Sequence, residues 1–251
     1  MKKYLTGLLT FLVLGFFLVS ARAASVETSA YLDWSNFSWM GFSFTGDSPT
    51  LTWISQGESI DLEAQENSYS QSADNWNDSL SHTITTPQIE VGAEALTNRL
   101  KSYAYASSGD GYGDTYRWAQ FQVSGSGLIV FTVPYRIEGK IDVGPESEFD
   151  HASIDGEVYM GVSLDGDVSH DSYSWATLEK YYNINDCQSD TGEWEDEGTL
   201  SVAFYFNDGE SGYFHAGTYA EVTSAPIPSS ILLITSGIGL IFIRRRGISW
   251  G

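Results

Sequence analysis

The chain is poor in cysteine and in positive charge. It holds one cysteine, Cys187, and 12 Lys and Arg against 33 Asp and Glu in 251 residues. One thiol excludes an intrachain disulfide, so a domain of this length must be held by its core. The shortage of cations is sharper than the net charge of −21 suggests. Between Ala24 and Ser224 lie all 33 acids but only Arg99, Lys101, Arg117, Arg136, Lys140 and Lys180, six against 33, or −27. Such a body repels nucleic acid, anionic lipid and acidic polysaccharide. It attracts divalent cations, or simply stays soluble in a crowded matrix.

Motifs of catalysis are equally scarce. The four histidines, His82, His151, His170 and His215, are isolated, so no zinc-binding pair such as HExxH exists. No G-x-S-x-G elbow frames a serine nucleophile. Carboxylates are too many for the sequence to single out a glycosidase pair. The expectation is a protein without catalytic activity.

The apolar runs are confined to the two ends. Lys2 and Lys3 precede an apolar stretch, Tyr4 to Val19, and Ala21-Arg22-Ala23 follows with small residues at the two positions a signal peptidase reads. This pattern predicts a signal peptide over 1–23, cleaved after Ala23. At the other end, Ala225-Pro226-Ile227-Pro228 breaks the chain, Ser229 to Ile243 carries no charge, and Arg244, Arg245 and Arg246 follow. As a helix, 229–243 would rise about 22 Å, short of a hydrocarbon core of about 30 Å. It suits a transient transmembrane anchor, and the arginines keep its C-terminal flank in the cytoplasm.

Pro-x-Pro, an apolar helix containing Ser236-Gly237, and an arginine cluster near the end together resemble the PEP-CTERM sorting signal. Ile227 stands where Glu is commonest, as in the Pro-Ile-Pro variant of that signal. The resemblance covers 225–251 and implies sorting by an exosortase, a membrane enzyme of Gram-negative bacteria that make exopolysaccharide and biofilm matrix. It implies export, brief tethering at the inner membrane, and delivery to the cell surface or extracellular matrix. The partners it implies are signal peptidase and exosortase during export, with exopolysaccharide afterwards.

Between the signals, residues 24–224 form one domain. Their apolar residues recur with period two and are rich in Thr, Tyr, Val, Phe and Trp, types that suit a pleated sheet. Tyr31 to Phe44 and Pro49 to Ile54 read as strands, and Gln88 to Ser107 as strand, although the part AEALTNRLKSY is also compatible with a short helix. Ser55 to Asp78 reads as a long loop or an exposed edge hairpin. Thr115 to Tyr135 reads as a hairpin about Ser124-Gly125-Ser126-Gly127, its second strand apolar on both faces as if held between two layers. Asp155-Gly156 and Asp165-Gly166 read as turns flanking Glu157 to Leu164. The last pair, Gly198 to Phe206 and Gly212 to Val222, is joined at Asn207-Asp208-Gly209-Glu210. About nine to eleven strands with Gly-rich turns predict an all-β fold, a β-sandwich of jelly-roll type.

Two kinds of ligand site suggest themselves. Asp165, Asp167 and Asp171 offer hard oxygens for structural calcium. Asp110 with Asp114, and Asp186 to Glu197 with its six acids, are further acidic groups of the same kind. Trp76 and Trp194 lie among polar neighbours, so each is a candidate for stacking on sugar. The leading functional expectation is a structural surface or matrix protein. A carbohydrate-binding or calcium-dependent adhesive module, and thirdly an extracellular hydrolase, stay open.

Overall fold

A computed structural model gives the fold, and the residues it describes are 25–44, 46–143, 149–164, 172–183 and 190–226. In chain order the first strands are β1 (Ser25–Asp33), β2 (Ser38–Phe42), β3 (Thr50–Ala64), β4 (Asn67–Ala73), β5 (Leu80–Thr85), β6 (Ile89–Leu96) and β7 (Arg99–Ala106). They are followed by β8 (Gly109–Ser124), β9 (Gly127–Asp142), β10 (Phe149–Ser163), β11 (Ser172–Asn183), β12 (Gly192–Phe206) and β13 (Ser211–Pro226). The fold is all-β: two antiparallel sheets pack face to face. One has the order β12-β9-β1-β7-β6-β5, with β2 also on β9. The other has the order β11-β10-β13-β8-β3-β4.

Strict alternation builds the interior. On β8, Ala119, Phe121 and Val123 turn inward, and Tyr116, Trp118 and Gln120 turn out. On β9, Ile129, Phe131 and Val133 turn inward to meet them. Phe121 and Phe131 touch across the interior, with ring centroids 5.6 Å apart. Trp34, Phe37, Trp53, Trp76 and Phe214 join them in one aromatic cluster. The strand that begins as β1 is broken at Asp33. Its carboxylate accepts from Ser35 N at 3.1 Å and Asn36 Nδ2 at 2.7 Å, drawing Trp34–Asn36 into a 3-10 turn. Trp34 thereby enters the core, and β2 resumes alongside β9.

The core also holds an ion pair. Glu58 and Arg117 face each other across β3 and β8 with fully buried side chains, Nη2 to Oε2 2.7 Å and Nε to Oε2 2.8 Å. Arg117 Nη2 donates to the carbonyl of Leu96 at 2.9 Å, and its guanidinium lies 4.8 Å from the Trp34 ring centroid. Burial pushes the Glu58 carboxyl up and the Arg117 guanidinium down, each opposed by the other's charge.

The structure corrects several expectations. The described residues hold thirteen strands against the nine to eleven expected, and Tyr31 to Phe44, expected as one strand, is divided by the break at Asp33. Residues 93–103 are not helical: β6 and β7 pair through Leu96↔Arg99. Of the two readings of Ser55 to Asp78 the edge hairpin holds and the long loop does not: most of β3 pairs with the edge strand β4. Asp155-Gly156 is no turn, since β10 runs straight through it; a Cβ on Gly156 would lie 2.6 Å from Ile137 Cγ2.

Neither β8–β9 nor β12–β13 is a hairpin. Strand β8 pairs with β3 and β13, whereas β9 pairs with β1, β2 and β12. Both connections are arches that cross from one sheet to the other. They are tied together by Val123 N to Glu210 O and Gly209 N to Val123 O, both 2.9 Å, and by Gly125 N to Asp208 Oδ1 at 2.7 Å. Gly125 and Gly209 hold φ of +83° and +81°, which only glycine adopts without strain. Among the described residues no further layer covers the second apolar side of β9. It lies on the outer face of its sheet between half-exposed Met40, Phe42 and Tyr205.

Both described ends leave from one end of the sandwich. Ser25 opposes Asp142 on β9, and Pro226 opposes Phe149 on β10. The two arches lie at the opposite end. Among the described residues no helix is long and apolar enough to cross a membrane. The expected signal peptide, with Ala21 and Ala23, and the apolar segment 229–243 lie outside them.

Candidate binding face

The outer surface of the six-stranded sheet is laid out in rows, because antiparallel register sets outward side chains opposite one another on neighbouring strands. One row runs Gly57, Trp118, His215, Gly161, Tyr173 from β3 to β11. The next runs Ser59, Tyr116, Gly217, Tyr159, Trp175. Trp118, Tyr173 and Trp175 are 38%, 41% and 60% exposed. Exposed aromatic side chains grouped on one sheet face mark a candidate interaction surface.

Glycines make the rows flat. A Cβ on Gly57 would fall 2.5 Å from the Trp118 indole, one on Gly161 would collide with the His215 ring, and one on Gly217 with the Tyr159 hydroxyl. Each ring therefore lies down over bare backbone on the adjacent strand. Trp118 is held from beneath, since its carbonyl and that of Gly57 both accept from Trp76 Nε1 at 3.1 Å. His215 fills the floor between Trp118 and Tyr173, 2% exposed, and neither ring nitrogen has a partner. Burial alone drives its pKa down to about 4, so it is neutral at physiological pH.

Two further rows are acidic. The first carries Asp61, Asp114, Tyr219 and Glu157; the second carries Glu63, Tyr112, Glu221 and Asp155. Glu179 extends the second row onto β11. Burial, then the charge of Asp61, pushes the Asp114 carboxyl up to about 6. Burial also raises Asp155, helped by the charges of Glu179 and Glu221, and Glu157, helped by those of Asp155 and Glu179. Asp114 Oδ1 and Asp155 Oδ1 are buried without a partner. Tyr219 donates to Glu221 at 2.5 Å, and its ring stacks on that of Tyr112 at 5.8 Å. The face thus grades from aromatic near the arches to carboxylate near the chain ends. It offers stacking and hydrogen-bond acceptors.

The opposite face has a different character. A shallow depression of about 780 Å³ on the seven-stranded sheet is lined by Tyr103, Tyr105, Lys101, Lys140, Glu138 and Glu193 among others. Lys140 is paired with Glu193 at 2.9 Å, Lys101 Nζ lies 5.3 Å from the Tyr103 ring centroid, and Arg136 on the same strand as Lys140 pairs with Glu138 at 2.7 Å and Glu195 at 2.9 Å. Arg99 pairs with Glu94 at 2.6 Å on the same face. Ion pairing thereby disperses the acidic run of β12, with Glu193, Glu195 and Glu197 alternating outward and Asp196 accepting from Tyr135 at 3.2 Å.

The two tryptophans singled out by polar neighbours are not free stacking platforms. Trp76 is tucked under the end of the sandwich, edge-on to Trp34 at 5.2 Å and Trp53 at 5.1 Å, with Arg117 5.9 Å from its ring. Its polar neighbours lie in a loop that folds back over the core. Trp194 turns toward the core at the sheet edge, where Lys180 Nζ sits 5.5 Å from the ring centroid. The calcium candidates Asp165, Asp167 and Asp171 lie outside the described residues. Among the described residues no group of three or more His, Cys, Asp or Glu could hold a metal ion. Of the sorting-signal residues, Pro226 ends β13. Ile227, Pro228, Ser236, Gly237, Arg244, Arg245 and Arg246 lie beyond the described part.

No family model matches the chain, and no curated protein matches it. Among solved structures, vicilin from Solanum lycopersicum (tomato) is similar at 6% identity over 81% of this chain and 72% of that one, with a TM-score of 0.11. Vicilin from Solanum melongena gives 5% identity over 78% and 70%, with a TM-score of 0.13. Likenesses this slight carry no argument about fold or ligand.

Proposed function

We propose that this chain is an exported surface or extracellular-matrix protein, sorted by an exosortase, that holds polysaccharide without catalysing a reaction on it. The observation that carries the polysaccharide role is the open aromatic face of Trp118, Tyr173 and Trp175, with Trp118 laid over the Gly57 backbone and Tyr173 stacked on the buried His215 ring. Aromatic faces stack on the apolar face of sugar rings as they do on other apolar surfaces. The sandwich is of jelly-roll type in this reading, supported by arches that carry the chain between its sheets. Export and sorting are supported by the two terminal signals, with cleavage after Ala23 and a Pro-Ile-Pro sorting motif.

The layout suits tethering. Both described ends leave from one end, and Trp118 lies eight residues along β8 from Asp110, roughly 27 Å nearer the arches. A chain tethered through its C-terminal segment would hold the aromatic rows away from the membrane. The intact mass of the mature protein from its host tests the sorting. Loss of 1–23 together with the segment beyond about Pro228, the latter only when exosortase is present, is the expected result. A mature form that keeps Arg244 to Arg246 in both strains would end the exosortase reading. For the polysaccharide role, retention of the host's own matrix polysaccharide should fall in Trp175→Ala; equal retention would refute it.

A further inference from the structure

We infer that the outer face of the six-stranded sheet takes a hexosamine polymer bearing free amines, its aromatic rows stacking on the rings and its carboxylates receiving the ammonium groups. This rests on the polysaccharide role proposed above and names the chemical class of the polymer.

Charge is segregated between the two faces. Arg99, Lys101, Arg136 and Lys140 all project from the seven-stranded sheet, Arg117 is in the core, and Lys180 turns to the sheet edge over Trp194. The other face presents Asp61, Asp114, Asp155, Glu157, Glu179 and Glu221, and none of the described residues gives any of them a cation. An acidic sugar would meet only like charge there. A neutral sugar would cover carboxylates without compensating their lost hydration. An ammonium group does compensate, through charge-assisted hydrogen bonds. Buried atoms without partners at the same face, Asp114 Oδ1, Asp155 Oδ1 and both nitrogens of His215, point to polar groups that are still to arrive.

The spacing fits a chain running across the strands. Trp118 and Tyr173 are three strand spacings apart, about 14 Å, and successive rows lie about 7 Å apart along the strands. A polymer on the aromatic rows therefore has the Asp114 and Glu157 carboxylates one row away from its rings.

Calorimetry on the full-length mature protein at pH 6.5, above the raised Asp114 pKa, and low salt would compare three hexamers: glucosamine, N-acetylglucosamine and galacturonate. The glucosamine hexamer should bind about tenfold tighter than its acetylated counterpart, and the galacturonate hexamer should not bind. Trp175→Ala, at a position already 60% exposed, should weaken the glucosamine hexamer several-fold with no change in protein charge. Glu90→Gln, on the opposite face, should leave it unchanged. Equal binding of the acetylated hexamer overturns the amine assignment while leaving the polysaccharide role standing. Glucosamine binding that is indifferent to Trp175→Ala is mere attraction of a polycation to an acidic protein, and it overturns the site. Failure of all three hexamers overturns the hexosamine assignment, and the polysaccharide role is then decided by retention of the host's own matrix polysaccharide.

Discussion

Asp114 should make the protein less stable at neutral pH than in mild acid, and replacing it with Asn should remove that penalty. The carboxyl sits on the outer face of β8, largely buried, opposite Asp61, with Oδ1 lacking a partner. Its pKa in the folded protein is raised from 3.8 to about 6. The folded state therefore holds a proton that the unfolded state has already released between pH 4 and 6. Wherever the folded state binds more protons, stability falls as pH rises, so the loss develops across that window and persists above it. At about 1.4 kcal/mol per decade of proton affinity, ionising Asp114 in place costs about 2–3 kcal/mol. Asn has the same shape and keeps an acceptor for the Thr115 N–H. Asp114→Asn should gain that amount at pH 7.5, raising Tm by roughly 5–10 °C. At pH 4, where the folded-state carboxyl is neutral, it should gain little. Urea titrations at both pH values measure the difference. A variant no more stable at pH 7.5, or equally stabilised at both, would refute the assignment of the penalty to this carboxylate.

His215 should act in the opposite sense. Its folded pKa, lowered from 6.5 to about 4, means the unfolded state takes up a proton the folded state refuses. Stability is then lost as pH falls from 6.5 to 4, and His215→Phe should flatten that limb by about 3 kcal/mol in acid urea titrations. In the core, Arg117→Met alone strands the Glu58 carboxylate and should cost about 3–5 kcal/mol, whereas Glu58→Met with Arg117→Met should recover most of it. A double-mutant cycle by chemical denaturation checks this; a double variant as unstable as the single would show that packing, not charge, is at stake. Gly209→Ala should cost about 1–2 kcal/mol through its φ of +81° alone, since nothing lies within 4 Å of the added Cβ. Thermal unfolding with no loss would mean that the arch relaxes freely.

Much of the fold was legible because period two is a strong signal. Leu128 to Tyr135 and Gly198 to Phe206 carry the strand pattern in sequence and are strands. What stayed hidden was which strands pair. Ser124 to Gly127 announces a reversal, but a hairpin and an arch need the same glycines. The choice is made by long-range partners: β8 finds β13, some hundred residues later, and β9 finds β1 and β12. Facing Phe121 to Phe131 across the interior requires their strands to lie in opposite sheets, which a hairpin within one sheet does not allow. Asp155-Gly156 misled for a related reason. Its glycine answers the approach of Ile137 from the other sheet, not a turn.

The site was harder to see than the fold. Polar neighbours in sequence promoted Trp76 and Trp194, yet a loop tryptophan with polar neighbours is free to fold onto the core, and Trp76 does so. The better signal was alternation itself: Tyr112, Tyr116 and Trp118 share one side of β8 while Thr115, Arg117 and Ala119 share the other. That second side holds a buried arginine, which disguises which face is inner. Only once Glu58 is seen to neutralise Arg117 does the aromatic side become the outer one. The interior ion pair and the exterior aromatic rows are then two consequences of one register. Slipping β8 by a single residue against β3 would bring Trp118 inward and put Arg117 in water, exchanging the charged and aromatic faces. The binding face therefore depends on the buried pair that fixes the register. Variants that break Glu58–Arg117 without unfolding the protein should weaken ligand binding as well as stability.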